Sequence, residues 1–295
     1  MKFPPQDFEQ LRQMLILIRQ GEIKIDMGKK SLSALISMIN EPDIVAASNI
    51  VELGEKMDIS PASITRLVRL FGFSKFNQFQ NIFKQRAKAS INFYSQKAQF
   101  LFISKPETPL ELFEKQLDST RDNINICTAN LDNQTLNQIS TSLATESRIF
   151  IFGHKQSSAL ASLLKYGLTL IRDNVFLLGQ IEHGISTELN QLKKRDLLVL
   201  FSSAPYSNLT VEVASLAKSK ECKVLAITDS VLSPLNDFAS YSIHMPTGGL
   251  YYTNNLAANC ILVETLLSLT AIQLGNKSIE KLKLHEQTLI RFSNN

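Results

Sequence analysis

Five short apolar runs punctuate the second half of the chain: IFIF at 149–152, VFLL at 175–178, LLVLF at 197–201, VLAI at 224–227 and YSIH at 241–244. Four or five residues make a strand rather than a helix. A strand that is apolar along its whole length is one buried on both faces. Stretches with helical spacing at 158–171, 183–192 and 209–219 lie between the first four runs. Strand then helix, repeated, implies a parallel sheet covered on both sides. This half is expected to be a doubly wound, five-stranded α/β domain with strand order 2-1-3-4-5.

The first 90 residues have a different character. Apolar positions recur at helical spacing over 8–18, 32–39 and 50–57, and Gly72 is the single glycine between Asp58 and Ser90. Strands and hairpins have little to turn on there. The expected organisation is an all-α domain at 1–90, a helical connector at 91–129, the α/β domain at 130–275 and a charged helix at 276–295. With 44% apolar residues and no low-complexity tract, there is material for two cores. The longest apolar stretch, 256–274, is broken by Asn259, Glu264 and several hydroxyl residues. It is expected as a buried helix, not a membrane span. No basic-then-apolar leader opens the sequence, which points to the cytoplasm. Cys127, Cys222 and Cys260 are far apart, which fits reduced core thiols and offers no metal spacing. Neither a metal nor a cofactor is expected.

The charge is placed unevenly. Residues 1–90 hold 13 Lys/Arg against 9 Asp/Glu, a balance of +4, and residues 91–295 hold 18 of each. The whole excess sits in the front third, as a polyanion partner there would require, although a solvated helical surface gives the same count.

One segment of the front domain reads in detail. Ile50, Leu53 and Met57 give a helix an apolar face, and Asp58-Ile59 makes a tight turn. Ser60 is placed to cap the next helix and Pro61 to occupy its first position, where a missing N–H costs nothing. Ile64, Leu67, Val68 and Phe71 then form one buried stripe, and Gly72 ends the helix. Ala62, Ser63, Thr65, Arg66 and Arg69 are left outside. Two short helices joined by a turn of three or four residues form a helix-turn-helix. Ser60, Pro61 and Ala62 are small enough to bring the backbone close to bases. Ser63 and Thr65 offer hydroxyls, Arg66 has the fork that pairs with a guanine edge, and Arg69 and Lys75 suit the phosphate backbone. An ordinary helical hairpin with a polar outer face has the same pattern.

The segment NIVELGEKMDISPASITRLVRLFGFSKFNQFQ, residues 49–80, resembles the N-terminal domain of the RpiR family of bacterial transcriptional regulators. The resemblance rests on Ser60, Ala62, Ser63, Ile64, Arg66, Gly72, Phe73, Phe76 and Phe79, which fall in step with that family's pattern. Asp58 stands where the family usually has glycine, and aspartate also tolerates a turn conformation.

In the rear domain two serine loops follow neighbouring strands. After the first strand the chain reads Gly153, His154, Lys155, Gln156, Ser157, Ser158; after the third it reads Ser202, Ser203, Ala204, Pro205, Tyr206, Ser207. With strand order 2-1-3-4-5 these loops meet at the switch point where ligands bind. Two helix N-termini lined by hydroxyls favour an anion, and phosphate is the natural occupant. Of these residues Gly153, His154, Lys155, Gln156, Ser157, Ser158, Ser202, Ser203 and Ser207 are the candidate effector contacts, although serines also cap helices for purely structural reasons.

This domain resembles the sugar isomerase (SIS) fold, which implies a phosphosugar ligand. The similarity is carried by Phe152-Gly153 with Ser157, by Leu200-Phe201-Ser202, and by AKSKECKVLAITDSVLSPL at 217–235. The family's second loop usually reads Ser-x-Ser-Gly-x-Thr. Here Ala204 and Pro205 replace a hydroxyl and the glycine, Ser207 replaces the threonine, and Lys155 stands at a common glycine position of the first loop. Pro205 also removes an N–H. Helix-turn-helix followed by SIS is the order of the RpiR regulators.

Three functions fit these features. The first is a homodimeric or larger DNA-binding regulator on double-stranded operator DNA, whose rear domain senses a phosphosugar. The second is a phosphosugar isomerase or lyase, with Glu182 and His183 after the second strand as acid and base. The third is a regulator whose rear domain serves only for assembly. The second leaves the front domain without a role.

Overall fold

The computed structural model of the chain describes residues 4–20, 22–91, 93–179, 184–231 and 233–293. The chain divides into two compact units, Met1–Gln96 and Lys97–Asn295.

The front unit is helical: α1 (Phe8–Gln20), α2 (Lys29–Asn40), α3 (Pro42–Ala47), α4 (Ile50–Lys56), α5 (Pro61–Leu70) and α6 (Phe76–Ile91). Its core is made by Leu11, Leu35, Met38, Leu53, Ile64, Leu67, Phe71, Phe79 and Phe83, all essentially without solvent contact. Burying each of these side chains contributes about 1.5–3 kcal/mol before chain entropy is counted. The short helix α3, started by Pro42, has no periodic apolar stripe long enough to be read from sequence. It is pinned by the buried Gln80 of α6, whose Nε2 donates to the carbonyls of Val45 at 3.0 Å and Ser48 at 2.7 Å. The Gly-Phe and Phe-x-x-Phe spacings become an aromatic cluster. Phe73 meets Phe79 edge-on with ring centres 5.7 Å apart, and Phe83 meets Phe8 at 5.4 Å.

The boundary between the units falls within α7 (Phe93–Ile103). The rear unit continues with α8 (Pro109–Asn130) and α9 (Asn133–Thr145), capped by Thr108 and Asp132. Strands and helices then alternate: β1 (Arg148–Gly153), α10 (Ser157–Ile171), β2 (Val175–Leu177), α11 (Ile185–Asn190), β3 (Asp196–Ser202), α12 (Asn208–Ser219), β4 (Lys223–Thr228) and β5 (Tyr241–His244), closing with α13 (Ala257–Leu274) and α14 (Asn276–Ser293). The five strands are parallel in the order β2-β1-β3-β4-β5.

The continuous apolar runs are explained by two cores. Ile149, Ile151, Leu197, Val199, Phe201, Leu225 and Ile227 face one side with α9, α10 and α13. Phe150, Phe152, Leu198, Leu200, Val224 and Ala226 face the other with α11 and α12. Alternation is present, but both faces are covered, so no polar residue marks it. At the edge where the strands begin, Arg148 grips the buried Asp196 with two hydrogen bonds of 2.9 and 2.7 Å, fixing β1 against β3.

One feature differs from expectation: the helix expected at 183–192 is shorter, Ile185–Asn190, entered by Gly184 at φ 66°. Between β4 and β5, where the sequence shows no helical stretch, the described residues hold a 3-10 turn at Pro234–Asp237. The helix α13 is long and apolar enough by composition to cross a membrane. Its Ala258, Leu262, Val263 and Leu266 instead close one sheet core, while Ile261 and Ile272 stay exposed.

Candidate functional site

In the front unit the candidate DNA helix is α5. Asn49 starts the preceding α4 with a reciprocal capping box: its Oδ1 accepts from the N–H groups of Val51 and Glu52, and Glu52 accepts from the Asn49 N–H. Gly54 lets the turn close, since a Cβ there would lie 2.7 Å from the Ile59 carbonyl oxygen. Asp58 adopts φ 51°, the left-handed conformation that a glycine would take. Ser60 caps α5 by accepting from the Ser63 N–H at 3.1 Å. Ile64, Leu67 and Val68 are buried; Ser60, Pro61, Ala62, Arg66, Arg69 and Lys75 are exposed; Ser63 and Thr65 are half-buried. The Thr65 hydroxyl donates to the Pro61 carbonyl at 3.0 Å, which leaves it acceptor capacity toward a ligand. The polar residues therefore share one solvent face of a capped helix.

In the rear unit the turns after β1 and β3 are brought side by side by the pairing of Gly153 with Phe201. Gly153 is required: a Cβ would lie 2.3 Å from the Ser157 carbonyl oxygen, so α10 can start directly on the strand end. Lys155 is exposed and takes φ 55°, again in place of a glycine. Expected free donors at this helix end meet another arrangement. The N–H groups of Ser157, Ser158 and Ala159 bond the carbonyls of His154, Lys155 and Gln156 at 3.1–3.2 Å. The Ser158 hydroxyl donates to the Lys155 carbonyl at 2.6 Å. Ser202 is buried at the end of β3, and Ser203 is half-buried. His154 Nδ1 and the Ser207 hydroxyl, 2.8 Å apart, bridge the two turns.

Gly153, His154, Lys155 and Ser158 line a cavity of about 680 Å³ together with Ser162 and Gly179. This cavity opens on the β2 side of the first turn. The second-turn residues Ser202, Ser203 and Ser207 are not part of its described lining. Glu182 and His183, on which an isomerase reading leans, lie outside the described residues.

Sequence reasoning missed the residues that tie the two turns together. Asn254, in the irregular segment before α13, is buried; its Nδ2 donates to the Ala204 carbonyl at 2.8 Å. Its backbone exchanges hydrogen bonds of 2.9 and 3.2 Å with the Gln156 side chain. Lys97 of α7 donates to the Thr253 carbonyl at 2.7 Å and to Asn254 Oδ1 at 3.1 Å. Burial pushes the Lys97 pKa down, and the negative charge of Asp229 pulls it partly back. Asp229 itself, just after β4, accepts from the Ala204 N–H and from the Tyr206 hydroxyl. No local periodicity signals such residues, because the segment at 245–256 has no regular structure.

Residues 142–269 match the model of the SIS domain. An uncharacterized HTH-type transcriptional regulator of Haemophilus influenzae is 24% identical over 231 residues, spanning 77% of this chain and 78% of the relative. Among solved structures, the sugar isomerase domain of an RpiR transcription factor from Sphaerobacter thermophilus shares the fold with TM-score 0.56 at 19% identity, covering 62% of this chain and 99% of that one. The NanR protein of Vibrio vulnificus, solved in complex with ManNAc-6P, also has TM-score 0.56, at 17% identity, and covers 96% of this chain and 100% of its own.

Proposed function

We propose that this chain, a transcriptional regulator of the RpiR family with a C-terminal SIS domain, reads an operator through α5 and senses a phosphorylated sugar at the turns after β1 and β3. The observation that carries the DNA reading is the one polar face of α5. Ser60 fixes where the helix starts, Ile64, Leu67 and Val68 hold it to the core, and Ala62, Arg66 and Arg69 are left to the groove. Arg66 reads bases, and Arg69 and Lys75 hold phosphates.

The effector reading rests on two turns placed side by side at a topological switch point, each carrying hydroxyls and each opening a helix. Gly153, His154, Lys155, Gln156, Ser157 and Ser158 supply one wall, and Ser202, Ser203 and Ser207 the other. NanR's complex with ManNAc-6P supports an N-acylated hexosamine 6-phosphate as a first ligand to try. A ligand that binds one arrangement of the regulator better than another changes its DNA affinity by that difference. The chain acts as a homodimer in the cytoplasm and is not an enzyme. The exposed Ile261 and Ile272 of α13 support a subunit interface on that helix.

Footprinting of the purified protein on the DNA flanking its own gene, with and without a panel of hexose and hexosamine 6-phosphates, tests this reading. Protection of a two-fold site that shifts with one sugar phosphate is expected. Protection of no fragment, or indifference to every sugar phosphate, would count against it.

A further inference from the structure

The turn after β3 departs from its family pattern at Ala204, Pro205 and Ser207, and the structure shows what this turn faces. β4 ends at Thr228, paired with Ser202 at the end of β3. The next residue, Asp229, is therefore delivered directly beside the second serine turn. Its Oδ2 accepts from the Ala204 N–H at 3.2 Å, and its Oδ1 accepts from the Tyr206 hydroxyl at 2.8 Å and the Thr228 hydroxyl at 3.3 Å. Pro205 has no N–H to give, and the Ser207 hydroxyl is bridged to His154. A loop with donors turned inward around an oxyanion is the arrangement that binds phosphate. Here the oxyanion belongs to the chain.

We propose that Asp229 is a resident anion of this turn, holding the donors that a ligand's phosphate would otherwise take and so setting the affinity for phosphorylated ligands. This rests on the reading that the effector binds at the β1 and β3 turns. A phosphate entering the turn has to displace a carboxylate from Ala204 and Tyr206 and sit near its negative charge. Both effects weaken binding relative to a turn with a neutral residue at 229. Two titratable groups feel the Asp229 charge, Lys97 and His244, and each is drawn toward its protonated form by it. Lys97 limits the repulsion, whereas His244, its pKa held below 6.5 by burial, is uncharged at neutral pH; neither occupies the Ala204 N–H. The uncharged part of a ligand makes no demand on these donors, so the effect is confined to the phosphate.

Calorimetric titration of the full chain with inorganic phosphate, ManNAc-6P and unphosphorylated ManNAc tests this in the wild type, Asp229→Asn and Asp229→Ser. Two replacements are used because an asparagine amide directed at the Ala204 N–H costs stability that serine does not. Both variants are expected to bind the two phosphorylated probes about tenfold tighter or more, with ManNAc unchanged. Unchanged or weaker binding of both phosphorylated probes in both variants overturns the proposal. Adding Ser157→Ala and Ser203→Ala to Asp229→Asn should then remove the gain. A gain that survives them places the phosphate elsewhere and overturns the site reading together with this proposal. If the wild type binds ManNAc-6P through those serines and neither variant gains, only the resident-anion proposal falls.

Discussion

Asn254 and Ala204, 50 residues apart in sequence, are joined by a 2.8 Å hydrogen bond from the Asn254 carboxamide to the Ala204 carbonyl. The same side chain accepts from Lys97 on α7, and its backbone is clasped by Gln156. One buried residue thus fastens both serine turns to Lys97, on the rear unit's part of α7. The segment bearing it is held from behind by α8: Gln116 donates to the Leu250 carbonyl at 3.0 Å and Asn123 to the Gly248 carbonyl at 2.9 Å. Replacing Asn254 with alanine removes the donor to the half-buried Ala204 carbonyl and one of the acceptors of the Lys97 ammonium. We predict a loss of about 1–3 kcal/mol in the rear unit, read as a lower urea midpoint. A midpoint equal to wild type would show that these hydrogen bonds do not stabilise the rear unit.

Gly153 offers a sharper steric test. A methyl group there meets the Ser157 carbonyl oxygen at 2.3 Å, a backbone atom that cannot swing away. Gly153→Ala is predicted to push α10 off the end of β1, at a cost of about 1–3 kcal/mol, and to abolish any stabilisation by sugar phosphates in thermal melts. Retained ligand stabilisation would move the effector site away from this turn.

His244 gives the rear unit a pH dependence of known sign. Burial pushes its pKa below the ordinary 6.5, and Asp229 offsets part of that. Its Nε2 donates to Asn236 Oδ1 at 3.1 Å. Below the unfolded pKa the unfolded chain takes up a proton that the folded state resists, so stability falls as pH drops from about 6.5 toward the folded value. His244→Gln keeps an amide donor for Asn236 and is predicted to flatten this part of the stability curve. The same slope in the variant would assign the effect to another group.

Lys75 lies in the exposed turn after α5 and has no role in the core. As a phosphate contact it should matter equally for all sequences. Lys75→Ala is predicted to weaken operator and random DNA alike and to lower the salt slope of log K by about one. Loss of operator binding alone would make it a base-reading residue instead.

How much of this was open to reading from sequence follows from range. The central strands β1, β3 and β4 were legible because each carries four or five consecutive apolar residues with both faces buried. The helix α5 was legible because its cap, its stripe and its stop are local: Ser60, then Ile64, Leu67 and Val68, then Gly72 with φ 84°. The adjacency of the two serine turns followed from the strand order. What stayed hidden depends on contacts between distant residues. Asn254 reaches Ala204 only after the irregular segment at 245–256 has folded, and Asp229 meets Tyr206 only because β4 pairs with β3. The inward hydrogen bonds of Ser157, Ser158 and Ala159 are equally invisible to a pattern of residue types, because free and satisfied helix ends share one composition.

The central claim is that the exposed face of α5 reads duplex DNA through Arg66. Fluorescence anisotropy on the protected fragment and on a scrambled duplex of equal length, with wild type and Arg66→Ala, measures it directly. The account predicts that Arg66→Ala loses about 1–3 kcal/mol on the protected fragment and little on the scrambled one, so that selectivity collapses. An equal loss on both duplexes, or none on either, would contradict it.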